Sequence, residues 1–295
     1  MNTRTWARRL AGATGAALAV VAVTVAIDVA PAYAIDAGGP VVVDESTGWS
    51  STPDYKGKSA YCPDNTELIG TGASGASANT VVDDLIPYPD HVYGFLYEDG
   101  NGTNADSQLT VRAICADVIG YEINEGESLD DGYTPKSAVA ACSSSTKDLL
   151  GTGYQIVGGY GEVTVTSVYP YAGGAPNVDS VTVTANEDDD YSTGTWHVKA
   201  FAICGTLPYE TVVESSSTSS NSNSTQGKSQ TCPSDRYNTG GGTYAHNYPR
   251  DLHPSPFMPA GHYNGVDMVN GSVYEDDDGT LNDWYMTLYA VCVKL

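Results

Sequence analysis

EDGNGTNADSQLTVRAIC, residues 98–115, is the first of three passages in this chain that share one frame, followed by EDDDYSTGTWHVKAFAIC at 187–204 and EDDDGTLNDWYMTLYAVC at 275–292. A Glu-Asp step stands 17 and 16 positions before a cysteine in each. Leu109-Val111-Ala113-Cys115, Val198-Ala200-Ala202-Cys204 and Met286-Leu288-Ala290-Cys292 alternate as the buried face of a strand. Asn101-Gly102 and Asp278-Gly279 occupy one position ahead of that strand and are favoured hairpin-turn pairs, so a hairpin is expected there; the second passage has Asp190-Tyr191 instead.

Each closing cysteine has an opening partner: Cys62 with Cys115, Cys142 with Cys204 and Cys232 with Cys292, separated by 53, 62 and 60 residues. Six cysteines allow 15 connectivities, and bridges within the repeats are the simplest. Each such loop closure contributes roughly 3–4 kcal/mol, which modules this small need. Before each opening cysteine comes a lysine-serine step: Lys58-Ser59, Lys136-Ser137 and Lys228-Ser229. Further upstream lies a β-prone stretch: 41–45, 118–123 and 207–214. The repeats are therefore drawn as 35–115, 116–204 and 205–295, with the serine-rich tract 215–224 expected as a mobile loop.

Glycine follows each opening cysteine, as Gly70-Thr71-Gly72, Gly151-Thr152-Gly153 and Gly240-Gly241-Gly242, where a strand bends or admits a neighbouring backbone. No following helix and lysine make these a phosphate loop. The Tyr-Pro steps at 88–89, 169–170 and 248–249 mark strand ends or edges. No run of ten residues after the first 34 has helical periodicity, so the fold is expected to be all-β: three tandem β-rich repeats, each closed by one disulfide. They would form three small sandwiches or one body with pseudo-threefold symmetry. The leading strands of the second and third repeats could pair with the preceding closing strand. The first, near Val41, would close the ring, stay in its own repeat or project as a donor strand.

Residues 1–34 have the composition of a signal peptide, with Arg4, Arg8 and Arg9, an apolar run 16–27 and Ala32-Tyr33-Ala34 for cleavage, which points to the general secretory route and an extracellular product. Twelve apolar residues are too few to cross a bilayer. The leader holds three of 13 basic and one of 36 acidic residues, leaving −25 on the mature chain. Such a charge disfavours nucleic acid and anionic membrane as partners.

The Cys-Pro openings at 62–63 and 232–233, the glycine step and the Ala-Ile-Cys or Ala-Val-Cys endings resemble repeats in secreted proteins of high-GC Gram-positive bacteria. More distantly, the pattern over about 59–295 is similar to the threefold β-prism of vitelline membrane outer layer protein I. The second copy departs from it, with Ser143 after its cysteine. The resemblance implies an extracellular β-fold with glycan or protein binding and carries no catalytic residues across.

From the tyrosine of each Tyr-Pro step to the glutamate of the Glu-Asp step the distance is 10, 18 and 27 positions, and the third, longest insertion is where function is expected to collect. Tyr244, His246, Tyr248, His253, His262 and Tyr263 are the candidate binding residues there. Histidine spacings of 7 and 9 fit no familiar zinc pattern, and the aspartate runs 188–190 and 276–278 fail the EF-hand pattern and are expected as acidic hairpin tips. No metal or cofactor is therefore expected. Tyrosine outnumbers phenylalanine 21 to 3, which suits half-wet recognition surfaces. Trp196 and Trp284, eight positions before their cysteines, are expected to pack the sheet rather than stack on sugar. No Gly-x-Ser-x-Gly or His-Glu-x-x-His is present. The sequence thus points to a secreted, non-catalytic protein that binds glycan or cell-envelope material. The alternative is an interaction subunit of an extracellular protein assembly.

Overall fold

Alternation of apolar and polar residues produces strands along the whole of the computed structural model, which describes residues 39–295 except 53–54, 100–103, 175, 189–193, 248, 261–266 and 277–278. The leader expected at 1–34 lies outside the described residues. The first six strands are β1 (Val41–Ser46), β2 (Tyr55–Tyr61), β3 (Glu67–Ser74), β4 (Thr80–Tyr88), β5 (His91–Glu98) and β6 (Thr110–Ala116). Next come β7 (Glu122–Glu127), β8 (Lys136–Ala141), β9 (Asp148–Val157), β10 (Val163–Tyr171), β11 (Ser180–Glu187) and β12 (His197–Gly205). The last are β13 (Val212–Ser217), β14 (Thr225–Thr231), β15 (Tyr237–His246), β16 (Leu252–Pro259), β17 (Met268–Glu275) and β18 (Tyr285–Val293). Among the described residues the helical content is a single 3-10 turn, Pro249–Asp251. The all-β expectation holds, with Tyr88 ending β4 and Tyr169-Pro170 close to the end of β10.

The closing strands lie centrally, as their apolar alternation requires: β6 between β1 and β3, β12 between β7 and β9, β18 between β13 and β15. The expected hairpins are absent, because β5, β11 and β17 belong to different ladders, β2-β5-β4, β8-β11-β10 and β14-β17-β16. The chain after each Glu-Asp step thus crosses between ladders. Cys62–Cys115, Cys142–Cys204 and Cys232–Cys292 each tie the two ladders that one crossing connects. No described cysteine is free.

Leading strands pair with the closing strand of their own segment, not the preceding one: Val41↔Cys115, Glu122↔Cys204 and Val212↔Cys292. The first strand is therefore part of the body and does not project. Part of the serine tract expected as a loop is strand: Ser215 and Ser216 lie in β13 opposite Tyr289 and Leu288, and Asn221 bridges Trp284. Backbone pairing and the Ser217–Thr287 hydroxyl contact of 2.8 Å stabilise it without apolar side chains.

Strands β4 and β9 join through Asp84↔Gln155 and Leu85↔Tyr154, and β10 and β15 through Ser167↔Tyr244, giving two six-stranded sheets. The outer ladders β14-β17-β16 and β1-β6-β3 remain three-stranded. A Cβ on Gly72 of β3 would lie 2.5 Å from Pro259 Cδ of β16, so those strands are neighbours. Pro254, Pro256 and Pro259 remove three donors from β16, and no ladder links it to β3. Four sheets in a propeller-like ring replace the expected threefold body.

At the centre the glycine steps bring β3, β9 and β15 into backbone contact. A Cβ on Gly70 would fall 1.6 Å from the Thr239 carbonyl oxygen, one on Gly151 2.7 Å from that of Ile69, and one on Gly240 3.3 Å from Gly151 Cα. Thr71 Oγ1 donates to the Thr152 carbonyl, Thr152 Oγ1 to that of Gly241 (2.8 Å) and Thr239 Oγ1 to that of Leu150, so the hydroxyls are satisfied in a dry core.

Gly70→Ala is expected to cost at least about 3 kcal/mol, at or beyond the upper end of overpacking, because the obstructing atom is backbone. Gly48→Ala, where a Cβ meets nothing within 4 Å, should stay within about 0.5 kcal/mol. Urea denaturation of both variants checks the contrast.

Candidate functional site

Strand β5 buries Val92, Gly94 and Leu96 and turns His91, Tyr93, Phe95 and Tyr97 outward. Neighbours extend this stripe. Tyr55 stacks on Phe95 at 5.5 Å between centroids, Phe95 meets Tyr97 at 4.8 Å, and Tyr160 meets Tyr97 edge-on at 6.2 Å. At the other end His91 lies between Tyr61 and Tyr88, at 4.7 and 4.5 Å. From His91 to Tyr97 the stripe spans about 20 Å, at the usual rise per residue. Gly57 of β2 leaves room for it, since a Cβ there would fall 2.3 Å from Tyr93 Oη. Tyr55, Tyr61, Tyr88 and Tyr160 are exposed by 52, 58, 42 and 73%.

The same sheet, β2-β5-β4-β9-β12-β7, continues into a shallow pocket of about 520 Å³ lined in part by Tyr88, Tyr121, Phe201, Glu122, Glu125 and Gln155. Glu122 accepts from Lys147 Nζ and Ser143, which holds its carboxyl down at about 2 even against its desolvation. Lys199 pairs with Glu125 at 2.7 Å. Tyrosine hydroxyls, carboxylates and an amide thus surround flat apolar rings, a combination able to stack on a sugar ring and bond its hydroxyls.

Asp83 and Asp84 of β4 lie beside the stripe, at a β-bulge. Burial lifts Asp84 to about 7 although its Oδ1 accepts from Ile156 N at 3.2 Å. Burial and the Asp84 charge push Asp83 well above the usual carboxylate range. Burial also raises Tyr97 to about 12, helped by both aspartates.

The residues expected in the third insertion are divided. Tyr244 and His246 do meet, stacked at 3.9 Å, and His246 stacks again on Tyr285 at 4.1 Å, with Nε2 2.9 Å from Thr287 Oγ1. Burial holds that imidazole below its ordinary pKa. His253 instead lies in β16, only 1% exposed. Tyr248, His262 and Tyr263 lie outside the described residues. Asp188 and Asp276, which begin the runs expected as acidic hairpin tips, are buried, as are Asp99, Glu187 and Glu275, while 189–190 and 277–278 lie outside the described residues. Trp196 and Trp284 are buried too, donating to Glu187 (3.1 Å) and Glu275 (2.9 Å).

The stripe had a sequence signal in the alternation His91, Tyr93, Phe95, Tyr97. At the same distances before the other two Glu-Asp steps stand Ser180, Thr182, Thr184, Asn186 and Met268, Asn270, Ser272, Tyr274. Insertion length drew attention to the third segment, whereas the aromatics collect on a regular strand of the first. A scan against protein-family models and a search of curated proteins return no match to this chain.

Because Asp84 releases its proton near pH 7 folded and near pH 4 unfolded, its contribution to stability is complete below pH 4 and is lost as pH rises through 7. The Tm is expected to be roughly 5–10 °C higher at pH 5 than at pH 8, and Asp84→Asn should shrink the difference. An identical pH dependence in the variant, read by differential scanning calorimetry, would contradict the assignment.

Proposed function

We propose that the mature chain is a secreted, non-catalytic binding protein that recognises glycan of the kind found in cell envelopes through the aromatic face of the β2-β5-β4-β9-β12-β7 sheet. The observation that supports it is the stripe itself. Half-exposed rings kept in line on a rigid strand, beside a pocket with carboxylates and an amide, form more contiguous apolar surface than scattered surface residues do. Three disulfides agree with an oxidising, extracellular setting. No described helix is long and apolar enough to cross a membrane. The formal charge of −23 favours a neutral or cationic partner over nucleic acid or anionic lipid.

We also infer that the chain is one module written three times, over 35–115, 116–204 and 205–295. Support comes from the recurrence of the strand orders β1-β6-β3, β7-β12-β9 and β13-β18-β15, and from one disulfide at the same place in each segment. The resemblance to secreted actinobacterial repeats and to the β-prism of the vitelline membrane protein belongs to the same inference. A donor-strand role in a protein assembly has less support, since β1 is already paired with β6.

Glycan arrays and pull-downs on cell-wall polysaccharide test the function. Saturable binding is expected, weakened at least about tenfold in Phe95→Ala, as for an interface anchor. Loss in Tyr244→Ala with Phe95→Ala unaffected would move the site to the third segment. No saturable binding would remove the glycan proposal.

A further inference from the structure

Two aspartates far apart in sequence, Asp99 and Asp188, converge on one imidazole. Ligand atoms of Asp99, Asp188 and His253 all lie within 4.8 Å of one another. Asp276 holds the corresponding position in the third passage. All four side chains are buried, at 4, 7 and 7% exposure for the aspartates and 1% for the histidine.

The backbone fixes each carboxylate in the same manner. Asp99 N donates to the Asn79 carbonyl at 3.1 Å, Asp188 N to Glu162 at 2.9 Å, and Asp276 N to Asp251 at 3.2 Å. The imidazole is a departure from this regularity. His253 stands opposite Tyr274 in its ladder, where Val81 stands opposite Tyr97 and Thr164 opposite Asn186. One histidine of the third segment therefore faces carboxylates from the other two.

His253 Nδ1 lies 3.3 Å from the Ser77 carbonyl, which aims Nε2 at the carboxylates. Among the described residues Nε2 has no hydrogen-bond partner, and Asp188 Oδ2 stands 3.7 Å away. That distance is too long for a hydrogen bond. It is close to the separation, roughly 3–3.5 Å, of two ligands on one ion with bonds near 2.1 Å. An imidazole held through Nδ1 by a backbone carbonyl with Nε2 directed inward is also the usual posture of a metal-binding histidine. The Arg250 guanidinium is engaged with the main-chain carbonyls of Glu187 and Asp188.

We propose that His253, Asp99 and Asp188 hold one divalent metal ion that ties the three segments of the chain together. The mixed nitrogen and oxygen donors select Zn²⁺ or Mn²⁺ over Mg²⁺ and Ca²⁺. The metal is read by its own stoichiometry and by Tm, so its test is independent of glycan binding.

The test is metal analysis of the full mature chain, exported without a histidine tag and purified without chelator. About one equivalent of metal is expected, and its removal with EDTA should lower Tm by roughly 5–10 °C, restored by Zn²⁺ or Mn²⁺. His253→Gln and Asp99→Asn should each weaken metal binding at least about 100-fold, with excess Ca²⁺ present to suppress binding by the acidic surface. If the variants do not fold, the chelation and restoration of the natural chain decide. Less than about 0.1 equivalent together with no Tm change on adding either ion would overturn the proposal. So would metal that persists unchanged in both folded variants.

Discussion

Backbone pressed against backbone at the centre of the ring is the constraint on which the rest of this structure depends. Strands β3, β9 and β15 approach so closely at Gly70, Gly151 and Gly240 that no side chain fits between them. The threonines among these glycines close the gap by donating hydroxyls to carbonyls across it. Everything apolar that surrounds this centre, from Leu68 and Ile69 to Leu149, Leu150 and Ile203, is fully buried against it. The disulfides act one layer further out, holding together the ladders that each crossing separates.

Much of this was legible in the sequence, for definite physical reasons. The alternation ending at Cys115, Cys204 and Cys292 located the central strands, because a strand covered on both sides must present a regular apolar face. The spacing of the cysteines gave their pairing, and the glycine steps announced the close approach. What stayed hidden were the partners of each strand. Asn101-Gly102 is a favourable turn pair, yet residues either side of it enter different ladders, β5 between β2 and β4 and β6 between β1 and β3. The serine tract misled for a related reason: backbone pairing orders Ser215 and Ser216 although their side chains bury nothing apolar. Burial of the Glu-Asp steps was not read either: Trp196 and Trp284 reach back nine residues to Glu187 and Glu275, while His253 comes from a different segment than Asp99 and Asp188.

The residues proposed to bind follow the opposite rule in part. Asp99 and Asp188 belong to the recurring step, while the aromatic stripe and His253 break the recurrence. The β5 aromatics stand where the corresponding strands carry mostly small polar residues, and His253 stands where they carry Val81 and Thr164. A regular scaffold leaves such departures visible, because packing gives no reason for them. Loop length was a poorer guide than composition on the outward face of a strand, where a rigid ladder keeps rings in register.

The central claim, that the glycine strands form one shared core rather than three independent ones, is tested most directly by native-state hydrogen exchange read by mass spectrometry. Peptides covering 68–73, 149–154 and 238–243 should exchange last and with a common free energy, equal to that of global unfolding. Three different free energies, with one segment opening while the others stay protected, would contradict the account.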